Sequence, residues 1–267
     1  MDKKAIVKLF KRKALVFLFC LLPLYGPFAQ SDSEDPSYKI KTIVLDAGHG
    51  GSKPGAVSRR TLEKDLALDI TVKLGKAIEA ALPDVKVYYT RTTDVDVDIY
   101  KRTEFANEKK ADIFISIHCN SVKNRTALGT ETLVLGFNML GNQDAAIREN
   151  ADILLEENYE ENYQGFDPSD PETFIIFSLM RHQYREQSIK LASAIQKEFA
   201  GIGRIDRGVK EQTLGVLAKA GMPAVLTEIG FLSNPTEEDY MRSQKGQEEI
   251  VKNLLDAIKA YKRQTER

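Results

Sequence analysis

The chain alternates short apolar runs with longer stretches in which apolar residues recur every three or four positions. "KTIVLDAG", residues 41–48, is a strand-length apolar run that breaks at Asp46 into a glycine loop. "EKDLALDITVKLGKAIEAAL", residues 63–82, puts Leu66, Ile70, Leu74 and Ile78 at helical spacing, and the turn at Pro83 ends it. The same reading predicts strands over 85–91, 112–120 and 129–136 and a helix over 99–111. A long polar stretch follows, then a helix over 186–202, a buried strand over 222–234 and an amphipathic helix over 246–264. No internal repeat interrupts this order. Strands alternating with helices predict an α/β fold: a three-layer, mostly parallel sheet with helices on both faces, in a single catalytic domain over residues 39–264.

The first thirty residues break the pattern. Six Lys/Arg precede "ALVFLFCLLPLYG" and a small-residue exit, "PFAQS", which predicts a signal peptide over 1–30 and a linker over 31–38. The apolar stretch contains a proline and is shorter than the ~20 residues a spanning helix needs; a retained N-terminal anchor is the alternative reading. Phe19 before Cys20 does not suit a lipoprotein signal, which wants a small residue there. The expected location is therefore outside the cytoplasm, in the periplasm or cell envelope. Removing this segment takes six of the 38 basic residues and one of the 39 acidic ones, leaving 32 against 38. That balance excludes nucleic acid as an expected partner, since it offers no basic excess. Only Cys119 remains, so the core must hold without an intrachain disulfide.

Candidate chemistry sits at strand ends. His49 follows the first strand, His118 lies at the end of the third, and Glu228 is read as ending the last. Ligands of open α/β sheets collect outside the carboxyl ends of the strands, so parallel strands would bring these three to one rim. Glu63, at the start of the first helix, can face the same rim. Two histidines and a carboxylate with an open fourth position make a catalytic zinc site, and a further carboxylate is needed to carry the proton from water to the leaving group. Each residue also has an ordinary reading: a surface histidine, or an acid complementing a helix dipole. "GHGG" has neither the Lys–Ser/Thr nor the glycine spacing of a nucleotide loop. Arg91 suits a substrate carboxylate or a structural ion pair, and Asn120 and Ser121 suit either the site or a turn. Cys119 should alternate away from the His118 face, and His182 reads as a solvated helix residue.

Several motifs, in order, carry a resemblance: "IVLDAGHGGSKPGA", "EKDLALDI", "YYTRTTDVDV", "RTEFANEKKADIFISIHCNS", "GTETLVL" and "RGVKEQTLGVLAKAGMPAVLTEIGFLSNPTEEDYM". Over nearly all of residues 40–263 the chain resembles the zinc-dependent N-acetylmuramoyl-L-alanine amidases of the amidase-3 type. The resemblance implies Zn²⁺ held by His49, Glu63 and His118, with Glu228 as catalytic carboxylate. It also implies hydrolysis of the amide between N-acetylmuramic acid and L-alanine in peptidoglycan, in daughter-cell separation or wall remodelling.

One segment departs from the minimal family pattern. Residues 144–172 hold ten acidic residues and one basic one. "DAAIRENADILLEE" predicts an amphipathic helix with Ile147, Ala151 and Leu154 on one face and Glu149, Asp152 and Glu156 on another. A solvated acidic excursion is one reading. The other is that "RENADIL" resembles the insert of daughter-cell-separation amidases that blocks the site until a protein activator displaces it. That resemblance implies Glu149 as an autoinhibitory zinc contact.

Overall fold

The computed structural model describes residues 38–136, 143–163 and 184–266. The signal segment, all but the last residue of the linker, residues 164–172 of the acidic segment and His182 lie outside these. Six strands form one sheet: β1 (Thr42–Ala47), β2 (Lys86–Tyr89), β3 (Ile113–Asn120), β4 (Thr130–Leu135), β5 (Asp206–Gln212) and β6 (Ala224–Phe231), in the order β2-β1-β3-β6-β4-β5. Seven α-helices are described: α1 (Glu63–Ala81), α2 (Ile99–Glu108), α3 (Asp144–Asn150), α4 (Tyr159–Asn162), α5 (Arg185–Gly201), α6 (Pro235–Arg242) and α7 (Gln244–Thr265). Among the described residues no helix is long and apolar enough to cross a membrane.

The strand alternation divides two cores. Ile43 and Leu45 of β1, Ile113, Ile115, Ile117 and Cys119 of β3, and Val225 and Ile229 of β6 pack under α1, α5 and α7. Val44, Phe114 and Leu226 face the other way, against residues of α2, α3 and the short turns beyond them. Strands buried on both faces read as continuous apolar runs, which is why β1, β3 and β6 were legible. Every neighbouring pair is parallel except β4 and β6, which run antiparallel.

Three elements differ from the sequence expectation. β5 was not expected: its sequence, "DRGVKEQ", is charged and its residues are exposed or half-buried until Gln212, as an edge strand tolerates. The strand read as running to Asn234 stops at Phe231, and α6 begins at once. Asn234 caps it, its side chain accepting from the Thr236 and Glu237 N–H groups, with Pro235 in the first turn. The helix expected across "DAAIRENADILLEE" stops at Asn150 and continues as a 3₁₀ turn, Ala151–Leu155. Its faces are also reversed. Glu149 and Glu156 are buried, while Ile147 is 51% and Leu154 42% exposed. Charge pairing with groups beneath the segment outweighs the burial of two aliphatic side chains.

The topology positions the rim. β1, β3 and β6 run parallel side by side, and His118 of β3 stands opposite Glu228 of β6. Both have the strand parity of Phe114 and Leu226, so both lie on the α2 and α3 face. Glu228 sits inside β6, at its fifth position, rather than at its end.

Candidate metal centre

The loop after β1 doubles back at once. The Gly48 N–H donates to the Ile117 carbonyl at 3.1 Å, and His49 adopts φ 58°, a left-handed conformation uncommon for residues other than glycine. Arg102 of α2 holds that turn. Its guanidinium donates to the carbonyls of Ala47 and His49 and to Asp46 Oδ1, each at 2.8 Å. Asp46 is fully buried and also accepts from the Thr90 and Ser116 hydroxyls, both at 2.6 Å. Arg91 donates to the carbonyls of Ala47, Gly48 and Lys64. It is buried and braces the loop through main-chain carbonyls, where the sequence had offered a substrate carboxylate or an ion pair.

Two glycines leave room for the imidazoles. A Cβ on Gly48 would lie 2.4 Å from the His118 ring. At Gly55, φ +66°, it would lie 2.4 Å from His49 Cδ2 and 2.6 Å from Glu63 Oε2. Both positions need a residue without a side chain, and Gly55 needs the left-handed backbone as well.

Glu63, the first residue of α1, is fully buried. Its Oε2 accepts from the Ala56 N–H at 2.7 Å and stands 3.2 Å from His49 Nε2. Its Oε1 accepts from the Cys119 N–H at 2.8 Å and stands 3.1 Å from His118 Nδ1. Glu149 of α3 closes the group from the opposite side, with Oε2 2.7 Å from His118 Nδ1 and 3.3 Å from His49 Nε2. One atom from each of His49, Glu63, His118 and Glu149 lies within 4.8 Å of all the others, and all four residues are buried. His49 Nε2 has two carboxylate oxygens in reach yet no aligned hydrogen bond, and Glu149 Oε2 is likewise unsatisfied. His118 Nδ1 is hydrogen-bonded to Glu63 Oε1, while His49 Nε2 and Glu149 Oε2 are left without a partner in the middle of the group. Two imidazoles and carboxylate oxygens fit a divalent cation of the zinc type there.

The charge balance asks for such a cation. Burial disfavours a charged His49, but Glu63, Asp152 and Glu149 outweigh it and hold its pKa well above the usual histidine range. Burial opposes the charged form of His118 too, and Glu149 and Glu63 overcome it, raising its pKa to about 9. Burial would lift Glu63, yet the two imidazoles bring it down to about 2. The cluster therefore draws in positive charge, as protons or as a metal. His49 Nδ1 lies 2.7 Å from Asp152 Oδ2, a partner that fixes the ring and leaves Nε2 facing the cluster.

Glu228 is adjacent and fully buried. Its Oε1 accepts from Arg148 at 2.7 Å, while Oε2 has no partner. Burial raises its pKa; Arg148 works against this, Glu149 and Glu63 add to it, and the result is about 8. The acidic segment is anchored again by Glu156. Its Oε1 accepts from the Ile99 N–H at 2.7 Å, at the start of α2, and lies 3.3 Å from Lys53 Nζ. Its Oε2 accepts from the Tyr163 hydroxyl at 2.6 Å.

All five residues singled out in the sequence thus meet: His49, Glu63, His118 and Glu149 in one cluster, and Glu228 beside it. Sequence reasoning missed Asp46, Arg102 and Arg148. Each lies in a quoted motif, Asp46 in "IVLDAGHGGSKPGA", Arg102 in "RTEFANEKKA" and Arg148 in "RENADIL", but no role was read for any of them.

The chain is similar to known proteins. The family described as N-acetylmuramoyl-L-alanine amidase, amidase type 3, matches residues 43–260. The chain is 30% identical over 224 residues to N-acetylmuramoyl-L-alanine amidase AmiC of Escherichia coli O6:H1, covering 82% of this chain and 52% of that protein. It spans about half the length of several curated relatives it matches. Among solved structures, an N-acetylmuramoyl-L-alanine amidase from Clostridium difficile 630 superposes with a TM-score of 0.63 at 27% identity, covering 84% of this chain and 97% of that one. The CwlD amidase of Clostridioides difficile, solved in complex with the GerS lipoprotein, gives 0.62 at 26%, covering 83% and 98%. From residue 43 to residue 260 this chain belongs to the N-acetylmuramoyl-L-alanine amidase family of the amidase-3 type.

Proposed function

We propose that this protein is a zinc hydrolase that cleaves the amide between N-acetylmuramic acid and L-alanine in peptidoglycan, outside the cytoplasm, and that residues 144–172 hold it closed. The observation that carries the reading is the convergence of His49, Glu63 and His118 beside a buried Glu228, on one face of the parallel strands β1, β3 and β6. His49, Glu63 and His118 would hold the ion. When bound, zinc supplies a Lewis acid for the amide carbonyl and makes hydroxide available near neutral pH.

The protein's own residues do the rest. Glu228 lies on a rigid strand beside His118, and its unpartnered Oε2 is free to take a proton from water and return it to the departing nitrogen. Its raised pKa, about 8 in this arrangement, suits a carboxyl group that must exchange a proton near neutrality. Asp46, Arg102 and Arg91 hold the histidine loop in register.

The acidic segment supports closure. Glu149 takes the position a substrate oxygen needs, and Arg148 neutralises Glu228. Opening requires a partner that binds the displaced segment more tightly than the docked one. Exposed Ile147, Leu154 and Leu155 offer such a partner an apolar grip, and an amidase of this family solved with a lipoprotein supports a protein in that role.

Digestion of purified sacculi by the Glu149→Ala protein, which needs no partner to open, tests the reaction. Mass spectrometry should find new free lactyl carboxyls on glycan and peptides beginning with a free L-alanine amine. Glu228→Ala should keep its metal and lose activity by at least ~10²–10⁴-fold. New ends within the peptide or the glycan would overturn the assignment.

A further inference from the structure

Arg148 is surrounded by acceptors in an arrangement that closure alone does not require. One guanidinium nitrogen donates to Glu228 Oε1 at 2.7 Å. Another donates to both Asn120 Oδ1 and the Ser121 carbonyl, each at 3.2 Å. Asn120 is locked for this task. Its amide nitrogen donates to Glu131 Oε1 at 2.7 Å, and Glu131 stands opposite Glu228 across the antiparallel pair and is held by Arg207 and Lys210. An ionised carboxylate only accepts, so the Asn120 NH₂ must face Glu131 and its oxygen must face Arg148.

Three acceptors, one of them a carboxyl oxygen, therefore converge beside the metal cluster. Neighbouring residues of one segment reach the two places: Glu149 the cluster, Arg148 the acceptors. We propose that Glu228 Oε1, Asn120 Oδ1 and the Ser121 carbonyl form the subsite for the nitrogen of the scissile amide, and that Arg148 fills it as a stand-in for the ammonium product. The proposal rests on the amidase reading and extends it.

The chemistry matches in number. In hydrolysis the water oxygen bonds to the carbonyl carbon and the C–N electron pair leaves with nitrogen. That nitrogen, which began with one hydrogen, gains one proton from the attacking water through Glu228 and a second from the new carboxyl group. The products are a lactyl carboxylate and an L-alanyl ammonium with three N–H donors, as many as the subsite has acceptors. Beyond Asn120 and Arg148 a cavity of about 580 Å³, lined also by Glu131, Arg207, Lys210 and Phe231, gives the attached peptide room. In this geometry the peptide leaves along β4 and β5.

The test uses the full-length Arg148→Ala protein, metal-loaded, at pH 7. Calorimetry compares L-alanyl-γ-D-glutamate with propionyl-γ-D-glutamate, which lacks only the amine. The amine should bind at least about tenfold tighter, the loss expected for one hydrogen bond to a charged group. Asn120→Ala in the same background should remove most of that preference while metal content and melting temperature hold. Equal affinity for the two probes, or no binding of either, overturns the subsite; if the double variant does not fold, this comparison in Arg148→Ala alone decides. If the Arg148→Ala, Glu149→Ala protein, metal-loaded and no longer capped at the cluster, leaves sacculi intact but keeps the amine preference, the amidase reading alone fails. One that releases L-alanyl ends without an amine preference fails the subsite alone.

Discussion

Replacing Glu149 with Ala should switch the enzyme on without a partner. The carboxylate is 4% exposed. It stands 2.7 Å from His118 Nδ1 and 3.3 Å from His49 Nε2, and it accepts from Arg148 Nε at 2.9 Å. Removing one partner of a buried ion pair costs ~3–5 kcal/mol, and the lower bound is somewhat over a hundredfold in the ratio of closed to open forms. Alanine favours the helix, so α3 itself is not weakened. Asp152 on His49 and Glu156 on the Ile99 N–H still tether the segment, which makes the effect a shift in population rather than a loss of the segment. Release of labelled fragments from sacculi should rise tenfold to about a hundredfold in the variant, with zinc retained by elemental analysis. Amide hydrogen exchange over residues 144–155 should quicken by a similar factor. A folded, metal-loaded Glu149→Ala protein with wild-type basal rate and wild-type exchange would refute closure by this residue.

Three further outcomes follow from the site. Both imidazoles hold protons above the usual histidine range, His118 up to about 9, whereas a metal needs them neutral. Metal uptake at pH 7 should therefore release protons, and affinity should fall as pH drops from 9 towards 6; calorimetry in buffers of different ionisation heat that finds no proton release would contradict this. Gly55→Ala forces a β-carbon into a left-handed residue against His49 and Glu63, so it should lower stability by at least ~1 kcal/mol and reduce metal content, read by thermal melting and elemental analysis. Arg102→Ala leaves Asp46 buried and unpaired, which costs ~3–5 kcal/mol; in urea titrations the Arg102→Ala, Asp46→Ala double variant should cost less than the two single changes added together.

The sequence by itself determined the layered α/β plan and the carriers of the chemistry. Ile43 to Leu45, Ile113 to Ile115 and Ala224 to Leu226 are apolar on consecutive positions because both faces of those strands are buried. A glycine loop with His49 after one such strand, and His118 within another, is visible without coordinates. Asn234, Pro235, Glu237 and Glu238 carry a cap followed by an acidic first turn, a signal that the strand reading over 222–234 passed over. The charged edge strand β5 left no such trace, since one exposed side removes the alternation. Only the tertiary structure decided which way the acidic segment faces. Periodicity reports that Glu149, Asp152 and Glu156 share a side, and hydropathy alone turns that side to water. Buried imidazoles, Lys53 and the free N–H group at the head of α2 reverse it, because a charge is cheap to bury only where its partner already waits. Those partners come from residues 49, 53, 99 and 118, brought together by the parallel order of β1 and β3, and no local pattern around residue 149 contains them.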